Sequence, residues 1–490
     1  MDTPRNESGE QAIHRPNLVI KRWRKIAKMI KKNDPEEDSE EEEPQLNVNP
    51  PPVMDTKHRF FIGKDYANAY DKDFELLDKF NEDFIDRKKV VRMPWHDEAL
   101  VVFGEVARDA ARHFIQRWNI HKSEKFKYDD SYPFLLPKTY SDKDELSVKN
   151  WKKFLDSKPF QVNAQFVRSV GPWSCGTKTI EASIQNAYIQ LIGEAQHFIY
   201  IENQFFITGE NSQIHNQIGD ALYQRILQAH TCNEKFRVYI ILPLLPGFNT
   251  QNAVFAVLYF IMCSITKGDK SLYRKLEKAG VPPDDYISFF GMRAHDVLMG
   301  ELVQEIIYVH SKLMIVDDKK LICGSANIND RSLLGHRDSE VGVVIYDLEE
   351  EETIFNEKTV QVGKFCSSWR RRLFKMMLGI QYDNPENINV DDPVSDKFYY
   401  EFRDIARKNT LIYEEVFWTL PTDRVRKLCQ VSSYNSQPKL KDTDPYKAQE
   451  RLKDIKGLIV EYPLYFLNDE NYLQPNYTTP EGLIPVVTWT

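Results

Sequence analysis

From residue 180 to residue 323, stretches with apolar residues at helical spacing alternate with short runs that have no polar face. Ile180, Ile184, Ala187, Tyr188, Leu191 and Ile192 fall on one side of a helix, and 197–201 then reads as a buried strand. The order repeats with a helix over 214–230 and a strand over 236–242 that Pro243 ends. A third cycle runs from an apolar helix near 251–266 to a strand at 286–290, and strands at 306–309, 312–316 and 320–323 follow closely. Helices and strands in this rhythm bury their apolar faces by packing helices onto a sheet. The expected fold is therefore an α/β sandwich with a mostly parallel, mixed central sheet flanked by helices, and with antiparallel strands where hairpins occur. Ligands on such sheets bind at strand ends. No internal repeat is found.

The chain around this core is uneven. Residues 1–58 hold a basic amphipathic stretch at 18–32, an acidic run from Asp34 to Glu43, and Pro50, Pro51 and Pro52. No core can form from such a composition, so the segment is expected to be a disordered charged tail. A membrane-surface helix is the other expectation, with Trp23, Ile26, Met29 and Ile30 entering the interface and the lysines facing anionic lipid. The 490 residues carry a net charge of -8, but the charge is so unevenly distributed that the total says little about partners. Six scattered cysteines without a C-x-x-C pair argue against a disulfide framework or a zinc site. The polar, acidic start does not resemble a signal peptide, and the most apolar run, 253–263, is about half of the roughly 20 residues that span a bilayer. An intracellular, cytoplasmic protein with at most peripheral membrane contact is expected.

The chemistry is concentrated at His310-Ser-Lys312, Asp317 and Gly324-Ser325-Ala-Asn327. On a strand, residues two apart share a face, so His310 and Lys312 are expected to leave the sheet on one side. Lys312 offers an ammonium to the non-bridging oxygens of a phosphodiester. Gly324 is expected to allow a tight turn that brings Ser325 and Asn327 up as further donors. Such a set would clamp a pentacovalent phosphorus. A histidine there can act as nucleophile or as general acid, and needs an orienting partner to choose. Alone, H-x-K is weak, because a histidine at a strand end is more often packed or solvated. The string H-x-K-x4-D-x6-G-S-x-N is far more specific.

In that full string, from His310 to Asn327, the sequence resembles the phospholipase D superfamily at every motif position. The segments 93–97 (MPWHD), 107–119, 201–206 (IENQFF), 392–398 and 485–490 narrow the resemblance to the eukaryotic, phosphoinositide-regulated members. It covers roughly 59–490 and implies phosphatidylcholine hydrolysis to phosphatidate and choline through a phosphohistidine. Transfer to a primary alcohol would compete with water. It implies a chiefly structural Asp317, and a Glu340 that hydrogen-bonds a catalytic histidine. The expected division is an inter-motif region at 59–170, a catalytic domain at 171–380 with its motif at 310–327, and an extension at 381–490 packing on that domain.

Only His310 begins an H-x-K in this chain, whereas the resemblance calls for two such motifs. By family precedent the C-terminal histidine is the general acid. The nucleophile would then come from an upstream half or from a second copy in a homodimer, and a catalytically silent fragment is the alternative. Arg108, Arg112 and Arg117 recur in a segment where the resemblance implies binding of phosphatidylinositol 4,5-bisphosphate as an activator. It also implies small GTPases and protein kinase C as partners. No metal or organic cofactor is called for. Two rival readings are a regulatory phosphoinositide- or GTPase-binding protein and a phosphodiesterase acting on nucleic acid. The acidic balance argues against nucleic acid.

Overall fold

The computed structural model describes residues 74–138, 158–209, 214–248 and 251–470, together with 60, 62–64 and 155. The charged segment 1–58 with its basic stretch, and the terminal 485–490, lie outside the described residues. In chain order the strands are β1 (Trp95–His96), β2 (Val162–Val170), β3 (Glu181–Ala182), β4 (Phe198–Asn203), β5 (Arg237–Ile241), β6 (Ile287–Leu298), β7 (Glu301–Val309), β8 (Lys312–Val316), β9 (Lys320–Gly324), β10 (Glu340–Asp347), β11 (Glu350–Phe355), β12 (Lys358–Gly363) and β13 (Ile459–Glu461). Six helices matter below: α1 (Glu105–Lys125), α2 (Ser183–Glu194), α3 (Ile218–Thr231), α4 (Gln251–Ile265), α5 (Lys364–Leu378) and α6 (Asp396–Phe417).

One sheet runs in the order β1, β7, β6, β5, β4, β8, β9, β10, β2, β3, with β13 added on β6 and β11 with β12 as a separate hairpin. The α/β sandwich is present, but its parallel part is narrower than the helix-strand rhythm implies. Only β4 with β5, β5 with β6 and β1 with β7 are parallel, and the remaining pairs of the sheet are antiparallel. The reason lies in the connections. Crossover segments containing α3 and α4 return the chain for β5 and β6, whereas tight turns join β6 to β7 and β8 to β9, and a tight turn permits only antiparallel pairing.

The central strands are buried on both faces, which is why they show no apolar-polar alternation. Ile199 and Ile201 of β4, Val238 and Ile240 of β5 and Met314 of β8 join one core with the apolar stripes of α2, α3 and α4. Their alternating neighbours Phe198, Tyr200, Tyr239, Ile241 and Leu313 join a second core with Phe374 of α5 and Phe402 of α6. The result is helix, sheet, helix in three layers. Asp317 and Asp318 turn the chain between β8 and β9 with positive φ of 51° and 53°. The Asp317 carboxylate accepts backbone N–H groups of Gln196, His197 and Phe198 at 2.6, 2.7 and 2.8 Å, locking the start of β4 to the end of β8.

The basic cluster at 370–372, to which the sequence assigns no role, divides in the structure. Arg370 turns inward onto Asp318, both side chains fully buried, while Arg371 pairs with Asp391 at 2.7 Å and also with Glu351. Among the described residues no helix is long and apolar enough to cross a membrane.

Candidate active site

His310 and Ser311 lie between β7 and β8 rather than inside a strand. The period-two argument that would set the His310 and Lys312 side chains on one face therefore does not apply. Tertiary contacts hold them together instead. The short strand β1 pairs in parallel with the end of β7, Trp95 against Tyr308 and His96 against Val309, and the His310 N–H donates to the His96 carbonyl at 2.8 Å. This brings Asp97, 213 positions away in sequence, to 2.8 Å between its Oδ2 and His310 Nδ1. Trp95 covers the ring, with centroids 4.2 Å apart.

The Asp97 pairing chooses the chemistry of the imidazole. An ionised carboxylate can only accept, so Nδ1 carries the proton and Nε2 is the nitrogen left to gain or lose one. Burial alone would push the Asp97 carboxyl up, but the His310 hydrogen bond and charge, aided by Trp95 and Lys312, outweigh it and hold the group below its ordinary value.

Lys312 opens β8 opposite Asn203, the last residue of β4, at the carboxyl end of the parallel strands. Its ammonium donates to Gln204 Oε1 at 3.2 Å and to the His310 carbonyl, and both acceptors are neutral. Burial pulls its pKa down to about 8, against the weaker pull of Asp97 and Glu340. A buried cation with neutral partners gains strongly from an arriving anion.

Gly324 is required for a different reason than a turn. Its φ is not positive, but a Cβ there would lie 2.2 Å from the Val341 carbonyl oxygen and 2.6 Å from the Gly342 Cα of the neighbouring strand. The close approach seats Ser325, whose hydroxyl donates to Glu340 at 2.5 Å and accepts the Val341 N–H at 3.0 Å. Its proton is directed to Glu340, so donation to a phosphate, the role expected of Ser325, would have to displace that bond. Glu340 also accepts from Ser332 at 2.8 Å, while the Nδ1 of His310 belongs to Asp97. Within this chain, Glu340 orders Ser325 and sends its field to Lys312. Burial raises its pKa against the two hydroxyls. Asn327 Oδ1 and Asn203 Nδ2 are buried without a hydrogen-bond partner, while Asn203 Oδ1 accepts from Ile328 N at 3.0 Å.

The sequence flags segments 93–97 and 201–206 only by their resemblance, without assigning them roles. In the structure they supply Asp97, Asn203 and Gln204, and a second layer behind them. His96 Nε2 lies 3.1 Å from Glu202 Oε2, Tyr200 donates to the other Glu202 oxygen, and Trp369 donates to Glu98 at 2.7 Å. Donor atoms of His96, Glu98 and Glu202 fall within 4.8 Å of one another, a spacing a cation could use. The hydrogen bonds already present satisfy them. Burial works most strongly against a charged His96, but the Glu202 hydrogen bond together with the charges of Glu202, Glu98 and Asp97 outweighs it and raises the pKa.

Arg108, Arg112 and Arg117 all lie on α1, but the helix does not gather them. At about 100° per residue, Arg108 and Arg112 share a side and Arg117 stands about 140° or more around from both. Arg112 bonds Asp109 at 3.0 Å, and Arg117 lies on the side of His113, whose pKa is lowered to about 4 by burial, then by Arg168 and Arg117. A cavity of about 1160 Å³ opens at the other ends of the strands, around His197, Arg237 and Tyr286. Three of the cations along it are already paired, Arg225 with Glu234 at 2.8 Å, Lys235 with Asp396 at 2.8 Å and Lys320 with Glu194 at 2.6 Å. It does not have the character of the Lys312 site.

A family model described as phospholipase D matches residues 72–305 and 292–421, a span that contains every site residue named above. The chain is 46% identical to human phospholipase D1 over 88% of its own length and 40% of that protein's. The chain belongs to the phospholipase D family. Bovine phospholipase D2 is 41% identical over 97% of this chain and 51% of its own length. The chain thus spans about two-fifths to one half of these relatives. Among solved structures, the family member Nuc of Salmonella typhimurium aligns with 43% of this chain and 90% of its own, at 17% identity and a TM-score of 0.23.

Proposed function

We propose that this chain supplies the general-acid half of a phospholipase D active site that converts phosphatidylcholine to phosphatidate and choline. The supporting observation is the His310–Asp97 pair beside a buried Lys312 held only by neutral groups. In the proposed reaction a histidine of a second motif, from an upstream half or a second copy of this chain, attacks phosphorus. The bond to the choline oxygen breaks as His310 Nε2 delivers its proton there, and Lys312 balances the charge on the phosphoryl oxygens. His310, now neutral at Nε2, takes a proton from water, whose oxygen attacks phosphorus, breaks its bond to the nucleophilic histidine and releases phosphatidate. A primary alcohol in place of water gives transphosphatidylation.

The enzyme would work on the cytoplasmic face of a membrane. Phosphatidylinositol 4,5-bisphosphate would activate it through the arginines of α1, and small GTPases and protein kinase C are the proposed regulators. The test is release of labelled choline from phosphatidylcholine by size-resolved fractions, with a nucleic-acid substrate alongside. A monomer should show little or no turnover, and any lipid hydrolysis by an assembly should be lost in His310→Asn. Full turnover by a demonstrated monomer, or cleavage of nucleic acid in preference to lipid, would reject the proposal.

A further inference from the structure

Helix α1 ends in a loop whose aromatic side chains face outward in an unusual concentration. Phe114 and Trp118 are one turn apart on the helix with ring centroids 6.0 Å apart, Trp118 lies 6.2 Å from Tyr132, and Tyr132 lies 4.9 Å from Phe126. The strip continues to Phe134 and Leu136, which are 53% and 86% exposed. Scattered single apolar residues on a surface are ordinary, but a contiguous aromatic strip marks an interaction site.

The backbone beneath the strip is prepared to leave water. Trp118 Nε1 donates to the Pro133 carbonyl at 2.8 Å and Asn119 exchanges two hydrogen bonds with Leu135, at 2.9 Å each. The Lys122 ammonium, tucked under the loop, donates to the carbonyls of Phe126 and Asp129 at 2.5 Å each. Side chains of the helix thus satisfy four carbonyls of an irregular segment. Those four carbonyls need no water when the segment approaches an apolar medium. Around the rings, residues 114–138 carry five lysines and arginines against three carboxylates. Lys125 lies along the Phe114–Trp118 stripe of the helix and Arg117 flanks it at about 60°.

We infer that this strip is where the protein enters an anionic lipid interface, the rings at headgroup depth and Arg117, Lys125 and Lys127 meeting lipid phosphates. Tyrosine and tryptophan favour that zone because each has an apolar body and a polar tip, and long basic side chains reach back to the charged layer. The choice of a bilayer rests on the proposed phospholipid substrate. Insertion itself requires no turnover.

The test uses the full chain, with vesicles of phosphatidylcholine containing phosphatidylserine. A variant carrying Phe126→Ser, Phe134→Ser and Leu136→Ser should lose vesicle affinity by about tenfold or more for each side chain that inserts, and the loss should persist at high salt. Lys125→Gln with Lys127→Gln should remove only the salt-sensitive part. Unchanged circular dichroism and melting would show that the variants fold. In a Phe134→Trp variant, tryptophan emission should gain a component quenched by brominated lipid. Insertion by a chain whose active assembly cleaves nucleic acid in preference to lipid would leave this inference standing and count against the phospholipase proposal alone. Binding without quenching, unchanged affinity of the triple serine variant, or no binding to these vesicles would overturn the inference. So would a triple variant whose sole defect is dissociation of a lipid-free dimer, which would make the strip a contact between two copies.

Discussion

Lys312 and Arg370 are both buried cations of the same domain, yet their surroundings differ in kind. Arg370 is fully buried against Asp318, with Nε 3.1 Å from Oδ1, and it also donates to the Val390 carbonyl and stacks over Phe198 and Phe374 at 5.6 and 5.3 Å. Its charge is cancelled and its plane packed. Lys312 has an amide oxygen and a carbonyl oxygen, while the carboxylates of Asp97 and Glu340 act on it only through space. A cancelled charge serves the fold, whereas a charge left short of a counter-ion serves a ligand. Aspartates of the same turn follow the same logic. Asp318 neutralises Arg370, and Asp317 is spent on three backbone N–H groups.

The sharpest way to separate the two cations is by turnover. In any active assembly Lys312→Arg, like His310→Asn, should lower the rate of choline release by about 10²–10⁴-fold with melting unchanged, because a planar fork does not replace a compact ammonium. A near-normal rate with this chain supplying the site would remove Lys312 and His310 from the chemistry. Stability should show the reverse order. Arg370→Leu leaves Asp318 buried and unpaired and should cost about 3–5 kcal/mol in urea unfolding, with a large part recovered in the double variant Arg370→Leu with Asp318→Asn, since asparagine tolerates the positive φ of that turn. Failure of the second change to rescue the first would mean that packing, and not charge, holds Arg370.

The pH dependence gives a smaller effect with a definite sign. Lys312 has a folded pKa near 8, below the ordinary lysine value of 10.5, so between the two the unfolded chain holds more protons than the folded one. Its cost to stability is therefore full below pH 8 and fades as pH rises toward 10.5. Lys312→Met should be more stable than the parent below pH 8, with the advantage shrinking through that window. A constant difference across the range would contradict a desolvated ammonium.

The sequence makes the layered architecture legible, because strands buried on both faces and helices with one apolar stripe leave different periods. It also exposes the motif from His310 to Asn327. Partners that arrive through non-local pairing stay hidden. Asp97 reaches His310 only because a two-residue strand, too short for any period, pairs with the end of β7. Gln204 reaches Lys312 because β4 and β8 lie side by side, and the need for glycine at 324 comes from β10. Arg370 stands in a run of three arginines, and nothing local to it announces Asp318, 52 positions away.

The smallest expected effect lies on α1. Since Arg117 stands apart from Arg108 and Arg112, neutralising Arg117 alone should cost about 1 kcal/mol of vesicle binding whichever anionic lipid is used, as a diffuse charge does. Neutralising Arg108 with Arg112 should fall more heavily on phosphatidylinositol 4,5-bisphosphate than on phosphatidylserine at matched surface charge. Equal losses would reduce that pair to general basic surface.

The central claim is that His310 and Lys312 form one anion-binding unit aimed at a phosphoryl group. Histidine-selective NMR of the full chain, titrated with inorganic phosphate, addresses it without requiring turnover. The His310 ring signal should shift on phosphate addition, and the shift should vanish in Lys312→Met. An unmoved His310 signal, or the same shift in the Lys312→Met chain, would contradict it.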